Sequence, residues 1–161
     1  MRARLVRSTV VKITSPSNST ELWADLCQIR DLFASGEPFL PRRLVAAMLI
    51  VRKLHRHKYW GGANEKNFIW SDEIANGRGV EPTFKDIASG VANFLRLNGI
   101  LIVKYGGGKK KRQKYALNPS RMADIQSFAN HGNIADESVR RWLDRDNSLV
   151  SARLLDGWDA I

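Results

Sequence analysis

Between Asp86 and Asp124 the chain carries eight Lys and Arg residues and no acid: Arg96, Lys104, Lys109, Lys110, Lys111, Arg112, Lys114 and Arg121. Such a run generates a strong positive potential, and the chemistry it serves is neutralisation of phosphates. Just upstream, Lys85, Ser89, Asn93 and Arg96 recur at helical spacing, which puts short hydrogen-bonding side chains on one face together with Asp86. Ser and Asn donate and accept, and Asn pairs bidentately with adenine, so this face suits the base edges of a major groove. Groups that could break bonds are poorly placed. His55-Arg56-His57 lacks the i,i+4 spacing of helical metal ligands, His131 is remote, and Cys27 is the single cysteine, so no metal site is expected. Gly106-Gly107-Gly108-Lys109-Lys110 lacks the GxxxxGK[ST] spacing of a phosphate loop and precedes a strand. Asp144 and Asp146 read as a surface helix end rather than an acid–base pair. A non-enzyme without a cofactor is the expectation.

The elements that must position these residues are legible from punctuation and period. Thr83 as N-cap and Asp86 three residues on form a capping-box pattern that opens a helix over residues 83–98. Its apolar set, Phe84, Ile87, Ala88, Val91, Phe94 and Leu95, is the clearest periodicity in the chain. Asn98-Gly99 stops it. A basic hairpin over residues 100–117 follows: a β-branched strand at 100–105, Gly106-Gly107-Gly108, the Lys109-Lys110-Lys111-Arg112 tip, and a return strand through Gln113-Lys114-Tyr115-Ala116-Leu117 up to Asn118-Pro119.

Upstream, Pro41 suits the first turn of a helix whose apolar face is Leu44, Ala47, Met48, Val51 and Leu54. Its cations, Arg42, Arg43, Arg52, Lys53, Arg56 and Lys58, have no acid among them and read as a solvated face, with phosphate contact from the helix ends as the alternative. Gly61-Gly62-Ala63-Asn64 is a loop and Phe68-Ile69-Trp70 a short strand. Ser71, with Asp72 and Glu73, starts a short helix that Asn76-Gly77-Arg78-Gly79 ends.

Helix, short strand, short helix, turn, longer helix, strand, basic loop, strand: over residues 41–117 this order resembles the winged helix-turn-helix superfamily. The pieces that carry it are Phe68-Ile69-Trp70-Ser71-Asp72-Glu73-Ile74-Ala75, then Thr83-Phe84-Lys85-Asp86-Ile87-Ala88 through Leu97-Asn98-Gly99-Ile100-Leu101, then the basic hairpin. The resemblance implies a mainly α protein with a small β-hairpin (α+β), a winged helix core, and extra N- and C-terminal helices. It implies that Lys85, Ser89, Asn93 and Arg96 face the major groove of double-stranded DNA. The wing, residues 104–114, would clamp phosphates with Lys104, Lys109, Lys110, Lys111, Arg112 and Lys114. A long turn at residues 76–82 departs from the pattern and bears on the angle between the paired helices.

Three stretches are expected: an N-terminal arm and helix (1–40), the winged helix domain (41–121) and a C-terminal helical extension (122–161). Residues 2–13 are β-branched and could form a strand or arm. Asn18 starts a helix with Leu22, Leu26, Ile29 and Phe33 on one face and a buried Cys27 thiol. Met122, Ile125, Phe128 and Ala129 suggest a helix under the hairpin; Val139, Trp142 and Leu143, then Leu154, Leu155, Trp158 and Ile161, suggest two more. Trp142, Leu154, Leu155 and Trp158 are the candidate surface for a homodimer or a partner protein.

The net charge of +10 over 161 residues favours a polyanionic partner. Its distribution is uneven: residues 1–123 hold 22 Lys and Arg against 9 Asp and Glu, and residues 124–161 hold 4 against 7. With 43% hydrophobic residues the chain should bury a real core. The longest uncharged apolar run, residues 44–51, falls well below the roughly 20 residues of a membrane span, and no secretory h-region follows the basic start, so a cytoplasmic protein is expected, nucleoid-associated if prokaryotic. The leading functional expectation is a DNA-binding transcription regulator. The alternative is a non-catalytic DNA- or RNA-binding subunit of a larger nucleoprotein complex for replication, mobile-element or nucleic-acid-defence work.

Overall fold

Helix α1, Arg42–Arg56, runs through the centre of the molecule. Every residue from 45 to 54 is buried, so the amphipathic helix expected from Leu44, Ala47, Met48, Val51 and Leu54 is covered on all sides. The structure is a computed structural model that describes Val11–Lys12, helical positions 23, 26, 27, 30 and 34, and residues 36–75, 84–106 and 112–156.

Burial of α1 overturns the solvated face assigned to Arg52 and Lys53, which are only 8% and 5% exposed. The physical reason is the company they keep. The last carbonyls of any helix lack intrahelical donors, and a cation is the favoured group there. Arg52 Nε donates to the carbonyl of Ala129 at 2.7 Å, near the end of helix α4, Met122–His131, and Nη1 to that of Leu155 at 3.1 Å, ending the 3₁₀ turn Ala152–Leu155. Lys53 Nζ donates to Glu73 and Ile74 carbonyls at 3.0 and 3.3 Å, at the end of helix α2, Ser71–Ala75. Two cations of the central helix thus terminate three surrounding elements. Burial pushes both below their ordinary pKa values, with Asp156 and Glu73 opposing in part.

The start of α1 is served from the far end of the chain. Pro41 occupies its N-cap without a capping side chain, and Asp146 Oδ2 accepts from the Arg43 backbone N–H at 2.8 Å while Oδ1 accepts from Ser148 N at 3.1 Å. Asp146 therefore caps a helix about a hundred residues upstream, which sequence reading had placed at a surface helix end.

Helix α3, Lys85–Leu97, packs on α1 through Ala88, Val91, Ala92 and Leu95, with Phe84 fully buried at its N-cap. Phe84 stands at the N-cap without a side-chain bond and Asp86 accepts from Arg42; Thr83, the other member of the expected capping box, lies outside the described residues. Gly99, at φ +70°, ends the helix in the left-handed conformation that glycine adopts without strain. The hairpin follows as β4, Leu101–Tyr105, and β5, Gln113–Leu117, in register from Leu101↔Leu117 to Tyr105↔Gln113. Strand β3, Ile69–Trp70, adds to β5 and gives an antiparallel sheet of order β3-β5-β4.

A second sheet was not foreseen. Ser148–Ser151 forms strand β6 between β1, Val11–Lys12, and β2, Phe39–Pro41, all antiparallel. Leu154 and Leu155, expected in a helix, lie instead in the 3₁₀ turn Ala152–Leu155 that follows β6; Trp158 and Ile161 lie outside the described residues. Pairing with segments over a hundred positions away overrides a weak local pattern. Helix α4 packs chiefly on α1 rather than under the hairpin, and helix α5, Glu137–Asp144, buries Val139 and Leu143. Asp136 caps α5 by accepting from Ser138 and Val139, and these bonds hold its carboxyl below the ordinary carboxylate range.

One hydrophobic core draws on residues from 45 to 150, so the stretches 41–121 and 122–161 share it. The N-terminal helix differs. Trp23 is 70% and Leu26 48% exposed and Cys27 is half-buried, which corrects the core-facing Leu26 and the buried thiol. The helical positions 23, 26, 27, 30 and 34 form one stripe, and that stripe points outward; Leu22, Ile29 and Phe33 lie outside the described residues. The fold is mixed α+β.

Candidate nucleic-acid interface

Because α3 buries its apolar side on α1, its remaining side must face solvent. Lys85, Ser89 and Asn93 are exposed and Arg96 is half-buried. Gly90 shares the exposed side, with nothing near the position of a Cβ, and Leu97 is 65% exposed at the helix end. Two features sharpen this surface beyond what spacing indicated. Arg96 donates through both Nε and Nη2 to Asn93 Oδ1, at 3.1 and 2.9 Å. The one acid on the helix, Asp86, is bound by Arg42 Nη2 at 2.5 Å, a hydrogen bond that holds its carboxyl below the usual range. An anion approaching α3 therefore meets Asp86 already countered by a cation from α1.

The hairpin brings cations together in a way that costs energy unless partners intervene. Lys104 and Lys114 are direct cross-strand partners, and like charges so placed repel. The loop before β3 resolves the conflict. Lys104 Nζ donates to the carbonyls of Gly62 at 2.7 Å and Ala63 at 3.3 Å and lies 4.7 Å from the Phe68 ring centre. Lys114 Nζ lies 4.3 Å from the Trp70 ring centre and 3.8 Å from Glu65 Oε2. Arg112 Cζ lies over the same Trp70 ring at 4.5 Å and its Nη2 binds Asp72 Oδ2 at 2.6 Å.

Trp70 is thus the platform on which the hairpin cations rest, a role that the sequence reading missed. Its neighbour Gly106 allows the close approach, since a Cβ there would come within 2.5 Å of the indole Cη2. The usable signal was register: Trp70 pairs with Lys114 once β3 is recognised as part of the sheet. The Arg112 and Asp72 side chains are 52% and 59% exposed, so their ion pair is an exchangeable contact in water, while Lys114 is mostly covered and meets the exposed Glu65 only at 3.8 Å. Lys109, Lys110 and Lys111 lie outside the described residues.

Trp142, Leu154 and Leu155, the described members of the expected docking surface, are engaged within the chain. Trp142 stacks on Phe94 with ring centres 3.8 Å apart and planes 12° apart, and Arg43 lies 4.5 Å from the Trp142 ring centre. Leu154 and Leu155 are partly buried against the core. His55 also has a structural partner, Nδ1 accepting from Trp60 Nε1 at 3.2 Å. Among the described residues no group of three or more His, Cys, Asp and Glu converges to hold a metal, and no helix is long and apolar enough to cross a membrane. Comparison with protein-family models, with curated proteins and with solved structures finds no match to this chain.

Proposed function

We propose that the chain binds double-stranded DNA as a winged helix-turn-helix protein and regulates transcription, with α3 in the major groove and the β4–β5 hairpin on the phosphate backbone. The observation that carries this reading is the pairing of an exposed polar face on α3, its only acid bound to Arg42, with a hairpin that follows directly and carries Lys104, Arg112 and Lys114. The order α1, β3, α2, α3, β4, β5 supports it as well, being the order that the resemblance implies. Short side chains at Ser89 and Gly90 let the helix backbone approach base edges, while wing cations exchange Asp72 and Glu65 for phosphates.

The test is fluorescence anisotropy of a mixed-sequence duplex across a salt series, with the native chain and with Lys109, Lys110, Lys111 and Arg112 all replaced by alanine. The native chain is expected to bind, and the variant to bind more weakly with a salt slope shallower by about 3 to 4 units. Absence of binding by the native chain at low salt would overturn the proposal. Excess duplex RNA should compete poorly, because its major groove is too narrow for a helix.

The outward stripe of Trp23 and Leu26 favours a second reading, a subunit of a larger nucleoprotein complex, since exposed aromatic and aliphatic groups at helical spacing suit a partner surface. Trp23→Ala should then leave DNA affinity unchanged and abolish co-assembly; unchanged assembly counts against it.

A further inference from the structure

Resting on that reading, we infer that α3 recognises guanine through Arg96, with Asn93 as its positioning residue rather than as a reader of adenine. The direct pairing of Asn with adenine requires the amide oxygen to accept from the base while the amide nitrogen donates to it. In this chain Asn93 Oδ1 is already gripped by two donors of Arg96, Nε at 3.1 Å and Nη2 at 2.9 Å. What the pair still offers outward is donors alone: the Asn93 amide hydrogens, both Nη1 hydrogens of Arg96 and the second hydrogen of Nη2.

The base that complements a donor-only surface is guanine, whose major-groove edge carries the O6 and N7 acceptors side by side. Adenine shows an acceptor and a donor there, and the donor would meet a donor. The geometry also fixes which edge of the guanidinium is presented. With its Nε–H and one Nη2–H on Asn93 Oδ1, Arg96 keeps the Nη1–Nη2 edge for a base, the spacing that a bidentate pair with O6 and N7 needs.

The position is suited to a long side chain. Arg96 lies one residue from the end of α3, at Leu97, and its length lets it reach a base from that end of the helix. Asn93 lies one turn back on the same exposed side and is itself accessible, which leaves it free to hold Arg96 without displacing core packing. Locking the guanidinium before DNA arrives lowers the entropy lost on binding.

The experiment is selection from a randomised duplex library with the native chain, Arg96→Ala, Arg96→Lys and Asn93→Ala, followed by anisotropy titration of the selected duplex. Asn93 is exposed and Arg96 half-buried, and circular dichroism melting of each variant checks that it folds. The expected result has four parts: a fixed guanine in the native consensus, its loss in Arg96→Ala, weakened preference in Arg96→Lys, and weakened preference with an unchanged salt slope in Asn93→Ala. Replacing that guanine by 7-deazaguanine should lower native affinity about fivefold or more, because one arm of the bidentate pair has no acceptor. A fixed adenine that disappears in Asn93→Ala overturns the inference and restores Asn93 as a direct reader. Binding of many duplexes with no guanine preference overturns it while leaving DNA binding intact. Retention of no duplex by the native chain overturns the DNA-binding reading and this inference together.

Discussion

Two sets of cations in this chain have the same side chains and opposite environments. Arg52 and Lys53, in α1, lie beneath three surrounding elements and donate to backbone carbonyls; Lys104, Arg112 and Lys114, on the hairpin, meet exposed carboxylates, ring faces and loop carbonyls. The difference teaches that a net charge of +10 is not a measure of how much phosphate a protein can neutralise. A cation that terminates helices is part of the fold. A cation held by an exposed Asp or Glu is available to a ligand that outcompetes it.

The strongest way to break this comparison is Arg52→Met. It removes the donors to the Ala129 and Leu155 carbonyls, which then lie buried without them, and the expected loss is about 2 to 4 kcal/mol. In a thermal melt that amounts to roughly 5 to 12 °C for a chain of this size. DNA affinity of the folded protein should not change, because Arg52 does not reach the surface. A variant that melts like the native chain, or one that loses DNA affinity while fully folded, would place Arg52 with the ligand-facing cations.

That separation was beyond the sequence, and the reason is distance along the chain. Helix α3, Gly99 and the hairpin were legible because their signals are local: the period of Phe84, Ala88, Val91 and Leu95, a glycine where φ is positive, and cross-strand register set by a short loop. Strand β6, the Asp146 cap and the carbonyls that hold Arg52 each depend on residues 77 to 103 or more positions away. A run of cations without acids reads the same whether the helix is central or peripheral. Spacing placed Lys85, Ser89, Asn93 and Arg96 away from the buried side of α3, and there they lie. The Arg96–Asn93 bond and the Trp70 platform were not legible, since each depends on side-chain directions that spacing does not encode.

A smaller effect, with a pH signature, is expected from Lys53→Met. Its two carbonyl bonds at the end of α2 should be worth about 1 to 3 kcal/mol at neutral pH. Burial lowers the folded-state pKa of Lys53 below 10.5, so in the window between the lowered value and 10.5 the unfolded chain binds more protons than the folded one. Native stability should therefore gain a contribution that rises with pH through that window, and the Met variant should lack it. Urea melts at a series of alkaline pH values measure the difference; parallel curves would mean that Lys53 is not desolvated.

The hairpin should answer in the opposite currency. Arg112→Ala is expected to alter stability by less than about 1 kcal/mol, because its ion pair with Asp72 is exposed on both sides. Its effect belongs in binding: a salt slope shallower by about 1 unit and weaker affinity for every duplex tested. A destabilised variant with an unchanged slope would make Arg112 a fold residue like Arg52, and the contrast between the two regions would fail.

Asp72→Asn should have the smallest effect and the most informative sign. In the free chain Asp72 occupies Arg112, so a phosphate that takes over the guanidinium must first displace the carboxylate. Removing the charge lifts that competition, and duplex affinity should rise by about twofold to threefold at low salt, since exposed ion pairs are worth at most about 1 kcal/mol. The same substitution removes a negative charge from the first turn of α2, where it favours the helix, so stability should fall by about 0.3 to 1 kcal/mol. Tighter binding by a slightly less stable protein is a combination that a purely structural ion pair does not produce. If affinity falls instead, Asp72 is holding the hairpin in its binding posture, and the Arg112 pair belongs with the buried cations as part of the fold.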